Sequence, residues 1–168
     1  MTILVTGGAG FIGSNFVIEW LLKNKESVIN LDKLTYAGNI SNLDGLKNSP
    51  NHIFVHGDIG DSKLTNRLLN EYQPRCIINF AAESHVDRSI HGPEEFIQTN
   101  IVSTFHLLES ARKYWDNLKS KKKTIFVFFM FPQMRCMDHL NIKLRLSQKS
   151  IVISQIVHIQ RAKRHLII

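Results

Sequence analysis

Residues 3–13 of the chain read I-L-V-T-G-G-A-G-F-I-G, and this stretch decides the fold. A short apolar run ends in a glycine-rich turn, and an apolar stretch with helical spacing follows it to about residue 24. A strand, a glycine turn and a helix in this order begin a dinucleotide-binding unit, where bare backbone lets a pyrophosphate approach the helix N-terminus. Gly7, Gly10 and Gly13 therefore predict a dinucleotide ligand, with the spacing G-x-x-G-x-x-G in place of G-x-G-x-x-G.

A carboxylate follows the second apolar run. Residues 28–31 are apolar apart from one Asn, and the run ends in Asp32, nineteen positions after Gly13. A carboxylate there can accept hydrogen bonds from both hydroxyls of the adenosine ribose and repels the phosphate of NADP, so the sequence favours NAD. The alternative role for Asp32 is that of a helix cap or turn former after a strand.

The composition suits one globular domain. The chain has 168 residues, of which 43% are apolar and 21% are charged. It enters a strand directly and no apolar run approaches the length of a membrane span, so we expect a cytoplasmic protein without membrane contact. Cys76 lies in an apolar run and Cys136 in a basic one, without a C-x-x-C pair or metal-ligand spacing, which predicts two reduced thiols and no metal site.

The basic charge is concentrated at the end of the chain. Residues 1–123 hold fourteen Lys or Arg against thirteen Asp or Glu, whereas residues 124–168 hold seven basic residues and the single acidic residue Asp138. All nine glycines precede position 93. Such a shift is typical of a basic tail that contacts nucleic acid or anionic lipid. Beyond residue 131, however, this tail has no aromatic residue for stacking on bases, and we expect no nucleic-acid partner.

Strand-like and helix-like segments alternate along the chain. Four apolar runs predict buried parallel strands at residues 3–6, 28–31, 53–55 and 77–80, and helical periodicity occupies residues 12–24, 62–71 and 94–114. Ser62 and Pro93 are predicted helix starts. The order predicts an α/β fold with a doubly wound parallel sheet, right-handed crossovers and a ligand at the carboxyl ends of the strands.

The loops after these strands carry the most specific strings. They read D-K-L-T-Y-A-G-N from residue 32, G-D-I from residue 57 and A-A-E-S-H-V-D-R-S from residue 81, with Q-T-N at 98–100. Together with the glycine turn they resemble the extended short-chain dehydrogenase/reductase superfamily, and within it the dTDP-glucose 4,6-dehydratases. The resemblance runs without a gap from Thr2 to about Lys123, and it implies a Rossmann-type NAD-binding domain.

The resemblance also implies a role for each matching position. It places the pyrophosphate at the glycine turn, the adenosine ribose at residues 32–35, the adenine edge at residues 58–59, the nicotinamide half at residues 80–84 and a pocket wall at residue 99. The residues implied to bind the cofactor are Gly7, Gly10, Phe11, Ile12, Gly13, Asp32, Lys33, Leu34, Thr35, Asp58, Ile59, Phe80, Ala81, Ala82, Glu83, Ser84 and Thr99. Ser84 would also face the sugar nucleotide, which the resemblance implies is dTDP-glucose.

Each of these positions has a plainer alternative. Asp58 could cap the following helix, Ala81 and Ala82 could be small for packing, and Thr99 could bond to its own helix backbone. We assign no chemistry to three polar neighbours in the same loop. His85 has the environment of a structural loop histidine, and Glu83 and Asp87 lie beside the cationic side chain of Arg88.

The catalytic motifs of the related enzymes are missing from this chain. Those enzymes oxidise the sugar at C4 by hydride transfer to NAD, eliminate water across C5 and C6, and return the hydride to C6. The resemblance implies a Thr-Asp-Glu string after the fifth strand and a Tyr-x-x-x-Lys pair on the next helix for this work. Neither motif occurs here, because Tyr36, Tyr72 and Tyr114 all lie upstream and no lysine follows any of them by four positions. We therefore assign no catalytic residue.

Another reading frame restores these motifs. Back-translation of residues 129–138, read from the third base of each codon, admits H-V-S-T-D-E-V-Y-G. The same shift over residues 156–164 admits S-P-Y-S-A-S-K-A, which contains the Tyr-x-x-x-Lys pair. Two motifs in one frame and in family order indicate a one-base frame change near residues 121–123, where a lysine run implies repeated adenines. The chain is then a truncated dehydratase that retains the cofactor half and lacks activity.

This interpretation divides the chain in two. Residues 1–123 form a partial Rossmann domain, and residues 124–168 form an aberrant, poorly packed basic tail whose first part, 124–131, can add a fifth strand. The alternative is a natural tail with a basic amphipathic helix, on a non-catalytic NAD-binding module that serves a protein or nucleic-acid partner.

We expect the apolar residues of helix 94–114 to form a core face (Phe96, Ile97, Ile101, Phe105, Leu108 and Ala111). In relatives this helix helps to form a homodimer, but its partner helix lies in the altered part, which predicts weak or non-specific self-association.

Overall fold

The computed structural model of the chain describes residues 1–84 and 92–130. Within them lies a five-stranded sheet in which every strand is parallel to its neighbours. The strands are β1 (Thr2–Thr6), β2 (Ser27–Asp32), β3 (His52–His56), β4 (Cys76–Asn79) and β5 (Val127–Met130). They lie in the order β3-β2-β1-β4-β5. The predicted α/β fold with a doubly wound parallel sheet is confirmed.

Helices connect the strands. They are α1 (Phe11–Lys23), a 3-10 helix (Ile40–Leu46), α2 (Ser62–Tyr72), α3 (Pro93–Ile97), a π-helical turn (Gln98–Ser103), α4 (Thr104–Asn117) and α5 (Ser120–Ile125). The chain runs outward from β1 to β3 on one side and then returns to β4 on the other. The strand order therefore reverses between β1 and β4, and a crevice opens there at the carboxyl ends of the strands.

The core occupies both faces of the sheet, because successive residues of a strand point to opposite sides. Leu4 of β1 packs on one side with α2 and α4, through residues such as Leu107. Ile3 and Val5 pack on the other side with α1 and the 3-10 helix. Both faces are covered, so the strands read as continuous apolar runs in the sequence.

Two predicted helix starts are confirmed. The side chain of Asp61 caps α2, since one carboxylate oxygen accepts from the backbone N–H groups of Lys63 at 2.9 Å and Leu64 at 3.1 Å. Ser62 is accordingly the first helical residue. Pro93 opens α3, at a position where its missing N–H leaves no intrahelical bond unmade.

The fifth strand is shorter than predicted. The sequence suggested a strand over residues 124–131, but Thr124 and Ile125 belong to helix α5 and β5 begins only at Val127. Helical bonds explain the difference, because the Thr124 hydroxyl donates to the carbonyl of Ser120 at 3.1 Å and the Trp115 indole donates to that of Lys123 at 3.2 Å. Residues 131–168, which include Cys136 and most of the predicted tail, lie outside the described residues.

The predicted core face of helix 94–114 was wrong for half of its residues. Ile97, Ile101 and Phe105 are 50%, 62% and 58% exposed, and they form an apolar stripe on the outside. The buried residues of the inner face, of which only Ala111 was predicted, are Ser103, Thr104, Leu107, Ser110, Ala111 and Tyr114. The π-helical turn adds backbone to the helix and changes its phase. Small inner residues then allow α4 to approach α2 closely, which apolar periodicity alone does not indicate.

Cys76 is a free thiol inside the sheet. Burial raises the pKa of this thiol to about 12, so it stays protonated at neutral pH and has no reactive thiolate. Its place in β4, paired with Ile3 of β1 and Val127 of β5, gives it a packing role. The prediction of a reduced structural thiol is confirmed for Cys76.

Candidate functional site

The loops that follow β1, β2 and β4 meet at the carboxyl edge of the sheet. Backbone hydrogen bonds hold them together. The N–H of Gly7 donates to the carbonyl of Leu31 at 2.9 Å, and that of Phe80 donates to Thr6 at 2.8 Å. The turn after β1 is therefore fixed between its two neighbouring strands. This is the crevice where the sequence predicts the dinucleotide.

Two glycines of the turn are required by the path of the chain. Gly7 has a φ of +71°, and a Cβ there would lie 2.4 Å from the backbone nitrogen of Ala81. A Cβ on Gly13 would lie 2.2 Å from the carbonyl oxygen of Gly7. Both positions exclude any side chain, so these glycines bring the turn, α1 and the β4 loop into direct backbone contact.

Gly10 has more open surroundings than Gly7 and Gly13. It is the N-cap of α1, with φ −72° and ψ 169°, a conformation open to any residue. The nearest atoms to an added Cβ would be the carbonyl oxygens of Gly7 at 3.3 Å and Ala37 at 3.7 Å. No side chain caps α1 and its first turn has no acidic residue, so the helix N-terminus can receive an anion. The fold can thus accept a side chain here after a small shift of the Gly7 carbonyl, whereas a bound pyrophosphate would leave no room for one.

Phe11 and Ile12 lie beside this anion site. Phe11 is 81% exposed and Ile12 is 38% exposed, although both belong to the first turn of α1. Both side chains are therefore accessible to a ligand that approaches the helix N-terminus. Their predicted contact with the pyrophosphate stays a prediction.

Asp32 connects β2 to the glycine turn. Its carboxylate is 7% exposed, with one oxygen accepting from the backbone N–H of Ala9 at 2.8 Å and the other from that of Leu34 at 2.8 Å. The second bond supports a left-handed residue, since Leu34 has a φ of 53°. Asp32 thus stabilises the turn after β2, which is the alternative role considered for it from the sequence. Each carboxylate oxygen can accept a second hydrogen bond, so Asp32 can also bind the ribose.

Lys33 and Asp58 join the loops after β2 and β3. The Lys33 ammonium lies 2.8 Å from one carboxylate oxygen of Asp58, and the backbone N–H of Gly60 donates to the other oxygen at 2.7 Å. Burial disfavours the charged form of Asp58, but its hydrogen bonds to Lys33 and Gly60 outweigh burial and lower its pKa. The same bond raises the pKa of Lys33, so the pair is fully ionised at neutral pH.

The structure decides two details of the predicted adenine site. Asp58 does not cap the next helix, because Asp61 does so. Ile59 is only 4% exposed and packs in the core with Leu107, so a contact with the base would come from its backbone. The carboxylate of Asp58 remains at the loop surface, where a base can reach it.

The β4 loop, residues 80–84, is held by a residue that sequence reasoning gave no role. The side-chain oxygen of Asn100 accepts from the N–H of Glu83 at 2.9 Å, and its amide nitrogen donates to the carbonyl of Glu83 at 2.8 Å. Asn100 lies in the π-helical turn, as does half-buried Thr99, whose carbonyl accepts from the Thr104 hydroxyl at 3.4 Å. The Q-T-N string draws attention to Asn100, but nothing local in the sequence indicates its partner Glu83, which is seventeen residues away.

Within the β4 loop, exposure increases toward the end. Phe80 is 7% exposed and packs on the ring of Phe16 with centroids 5.3 Å apart. Ala81, Ala82 and Glu83 are half-buried and Ser84 is exposed. The loop therefore leaves the core at Ser84, the residue predicted to face both cofactor and sugar nucleotide. His85, Asp87 and Arg88 lie outside the described residues.

Replacing Asn100 tests its hold on the loop. We expect Asn100→Ala to lower the free energy of unfolding by about 1–3 kcal/mol, since two hydrogen bonds to a half-buried backbone are lost. Urea unfolding followed by circular dichroism measures this. Asn117→Ala, at the exposed end of α4, is the matched control and should change stability by less than about 0.5 kcal/mol. Equal losses in the two variants would remove the special role of Asn100.

The tyrosines of the helices are far from the crevice. The Tyr114 hydroxyl donates to the carbonyl of Pro74 at 3.2 Å, at the amino-terminal edge of the sheet. Tyr72 and Tyr114 line a cavity of about 310 Å³ there, together with Met1, Arg75 and Phe126. Ligands of doubly wound sheets bind at the other edge, so neither tyrosine can serve as the acid or base for a ligand in the crevice.

No helix within residues 1–84 and 92–130 has the length and apolar character needed to cross a membrane. Over the same ranges, no group of three or more His, Cys, Asp or Glu side chains is arranged to hold a metal ion.

Comparison with known proteins gives a consistent result. The family model described as GDP-mannose 4,6 dehydratase matches residues 4–129. A dTDP-glucose 4,6-dehydratase of Xanthomonas campestris pv. campestris (strain B100) is 58% identical over 127 residues, which are 76% of this chain and 36% of that protein. The relative from Salmonella typhimurium (strain LT2) is 52% identical over 128 residues, with the same two shares.

Solved structures agree with the sequence matches. The dTDP-glucose 4,6-dehydratase of Streptomyces venezuelae with NAD and TYD bound has a TM-score of 0.65 at 44% identity, covering 77% of this chain and 38% of that chain. That of Bacillus anthracis in complex with NAD has a TM-score of 0.64 at 39% identity, covering 78% and 37%. The present chain spans little more than a third of the length of the proteins it matches.

Proposed function

Because the chain belongs to the GDP-mannose 4,6-dehydratase family, we propose that residues 1–123 are the NAD-binding half of a dTDP-glucose 4,6-dehydratase. The observation that carries the proposal is the glycine turn, where an uncapped helix N-terminus lies beside a carboxylate bonded to Ala9. The helix N-terminus suits a pyrophosphate, and the carboxylate suits the ribose next to it. The relatives of known structure named above were solved with NAD.

The residues present fit this cofactor. The pyrophosphate would lie against Gly10 and the first turn of α1, the adenosine ribose against Asp32, and the adenine against the loop of Asp58. Residues 80–84, in the loop that Asn100 holds, would border the nicotinamide end together with Thr99, and exposed Ser84 would lie toward dTDP-glucose. When bound, NAD supplies a hydride acceptor and donor. This chain's own contribution is to bind and orient both ligands.

We further propose that the chain lacks the catalytic half because its reading frame changes near residues 121–123. The family match ends at residue 129, the position at which the shifted frame begins to admit H-V-S-T-D-E-V-Y-G. Identity to the relatives also extends over only 127 or 128 residues. Residues 1–123 then constitute the family domain, and residues 124–168 are its out-of-frame continuation.

Titration of NAD into the whole chain, followed by calorimetry, tests the proposed cofactor site. The expected result is saturable binding of one NAD per chain. Failure to bind NAD, with a folded chain shown by circular dichroism, would overturn the proposed site.

The outer stripe of the 93–117 helix predicts weak self-association. Ile97, Ile101 and Phe105 expose an apolar face whose partner helix, in relatives, would come from the altered part of the chain. Sedimentation velocity should show association that increases with concentration without a discrete dimer. Phe105→Glu should reduce it, whereas Leu22→Glu, at a more exposed apolar site on α1, should not. A monodisperse dimer of the unaltered chain would contradict this prediction.

A further inference from the structure

Lys33 directly follows the carboxylate that the proposed site assigns to the ribose, yet its charge is directed elsewhere. Its ammonium pairs with Asp58 at 2.8 Å, on the neighbouring loop, and within the described residues it makes no ion pair with Asp32. Glu83 and Glu95 add further negative charge around it. Lys33 is therefore a cation placed beside a ribose site and held by an acidic partner.

The partner is itself fixed. The N–H of Gly60 donates to Asp58 at 2.7 Å, and the hydroxyl of Ser103, which is 2% exposed, also hydrogen-bonds to it. Asp58 is thus anchored to its own loop through one carboxylate oxygen, and it also bonds to the π-helical turn. The other oxygen is available to hold Lys33 in one position.

The Lys33–Asp58 pair is too exposed for its main role to be stabilisation of the fold. The side chain of Lys33 is 57% exposed and that of Asp58 is 35% exposed, and ion pairs in such surroundings stabilise a fold little. Its position has a clearer consequence for binding. A free ammonium attracts phosphate strongly, so an unpaired Lys33 would offset the repulsion that Asp32 exerts on a phosphate at the ribose 2′ position.

We propose that the Lys33–Asp58 ion pair is a selectivity device, which keeps the lysine charge away from the ribose so that Asp32 can reject phosphorylated dinucleotides. This inference rests on the proposed dinucleotide site. It assigns to Asp58 a role besides its predicted contact with adenine. Discrimination between NAD and NADP then depends on two carboxylates, one that repels the phosphate and one that occupies the nearby cation.

Binding of NAD and NADP to the whole chain, measured separately by calorimetry, tests the device. For Asp58→Asn we expect the ratio of the NADP to the NAD dissociation constant to fall at least tenfold, through tighter binding of NADP. Asn keeps an oxygen for the loop and the base but cannot hold the ammonium. In the double variant Lys33→Gln/Asp58→Asn the ratio should return to within about threefold of the original value, because no cation remains to be released.

Two further variants complete the experiment. Glu19→Gln removes a charge from an ion pair with Lys23 near the distal end of α1, and should leave both dissociation constants unchanged. Lys33→Gln alone should keep the ratio within about threefold, whatever its effect on NAD affinity, since a paired lysine does not assist NADP. The Lys33→Gln variant still tests the proposal if Asp58→Asn fails to fold.

The outcomes separate the two proposals. Absence of NAD binding by the unaltered, folded chain overturns the proposed cofactor site and this inference with it. Normal NAD binding with an unchanged ratio in Asp58→Asn overturns the ion-pair device alone. A reduced ratio that persists in the double variant also overturns it, because loss of the Asp58 charge would then suffice. A large increase of the ratio in Lys33→Gln would show that the lysine already serves NADP.

Discussion

The chain as translated should form no 4-keto-6-deoxy product from dTDP-glucose, and restoring the reading frame near residues 121–123 should produce it. The reaction needs a base for the C4 hydroxyl and an acid and base for the elimination, and each such group contributes about 10²- to 10⁴-fold to the rate. Tyr72 and Tyr114 lie at the opposite edge of the sheet from the crevice. The unrepaired chain should therefore be slower by roughly 10⁶-fold or more.

The repair follows from the shifted reading. Codons that begin at the third base of the present frame return to register when one base is added, or two are removed, within the lysine run. The repaired gene, with its own downstream sequence retained, should encode S-T-D-E and then Y-S-A-S-K, and its product should yield the 4-keto sugar by absorbance and chromatography. Adding three bases at the same place is the matched control, since it lengthens the run without changing the frame. Product from the unrepaired, homogeneous protein, or an inactive repaired enzyme with both motifs present, would contradict the frame interpretation.

The survival of β5 is compatible with a frame change. Phe codons begin with two thymines, and this shift moves the first base of each codon to the middle position, where thymine encodes an apolar residue. Residues 125–130 read I-F-V-F-F-M, and the shifted frame admits the still largely apolar F-R-F-L-H-V. A strand beside β4 needs mainly a short apolar run, because its backbone makes the ladder bonds. Out-of-frame residues can therefore still complete the sheet.

Features with local causes were predictable from the sequence. The glycine turn, the strand ends and the helix start at Ser62 depend on apolar period, glycine conformation and capping, which act within a few residues. Asp32 was found because its spacing from the turn is fixed by one strand–helix–strand unit. These locally determined features include the residues of the candidate site to which we assign the pyrophosphate and the ribose.

Features that depend on distant partners were not predictable in the same way. The clamp of Asn100 on Glu83 and the bond from Lys33 to Asp58 join separate loops, and no local pattern indicates either. The outward stripe of Ile97, Ile101 and Phe105 had the spacing of a core face. Apolar period shows that a helix has a face to cover, but it does not show whether the protein's own core covers it.

Gly10→Val should abolish NAD binding while leaving the fold intact, raising the dissociation constant at least 100-fold. The backbone of Gly10 has φ −72° and ψ 169°, which valine adopts readily, and its new Cβ would meet the Gly7 carbonyl oxygen at 3.3 Å, a tight contact that a small local shift relieves. The added side chain instead occupies the space over the N-terminus of α1, where the pyrophosphate must approach the backbone. Calorimetric titration measures the affinity, and thermal unfolding should show a midpoint close to that of the parent.

Two other glycines make this result specific. Gly13→Val places its Cβ 2.2 Å from the Gly7 carbonyl, so it should lower the unfolding midpoint as well as the affinity, because the turn itself must move. Gly45→Val, in the 3-10 helix with no atom within 4 Å of the new Cβ, should change neither. The three variants separate loss of ligand space from loss of fold and from the general effect of replacing glycine. If Gly10→Val binds NAD as tightly as the parent, the pyrophosphate does not lie at this turn, and the assignment of the crevice as a dinucleotide site fails.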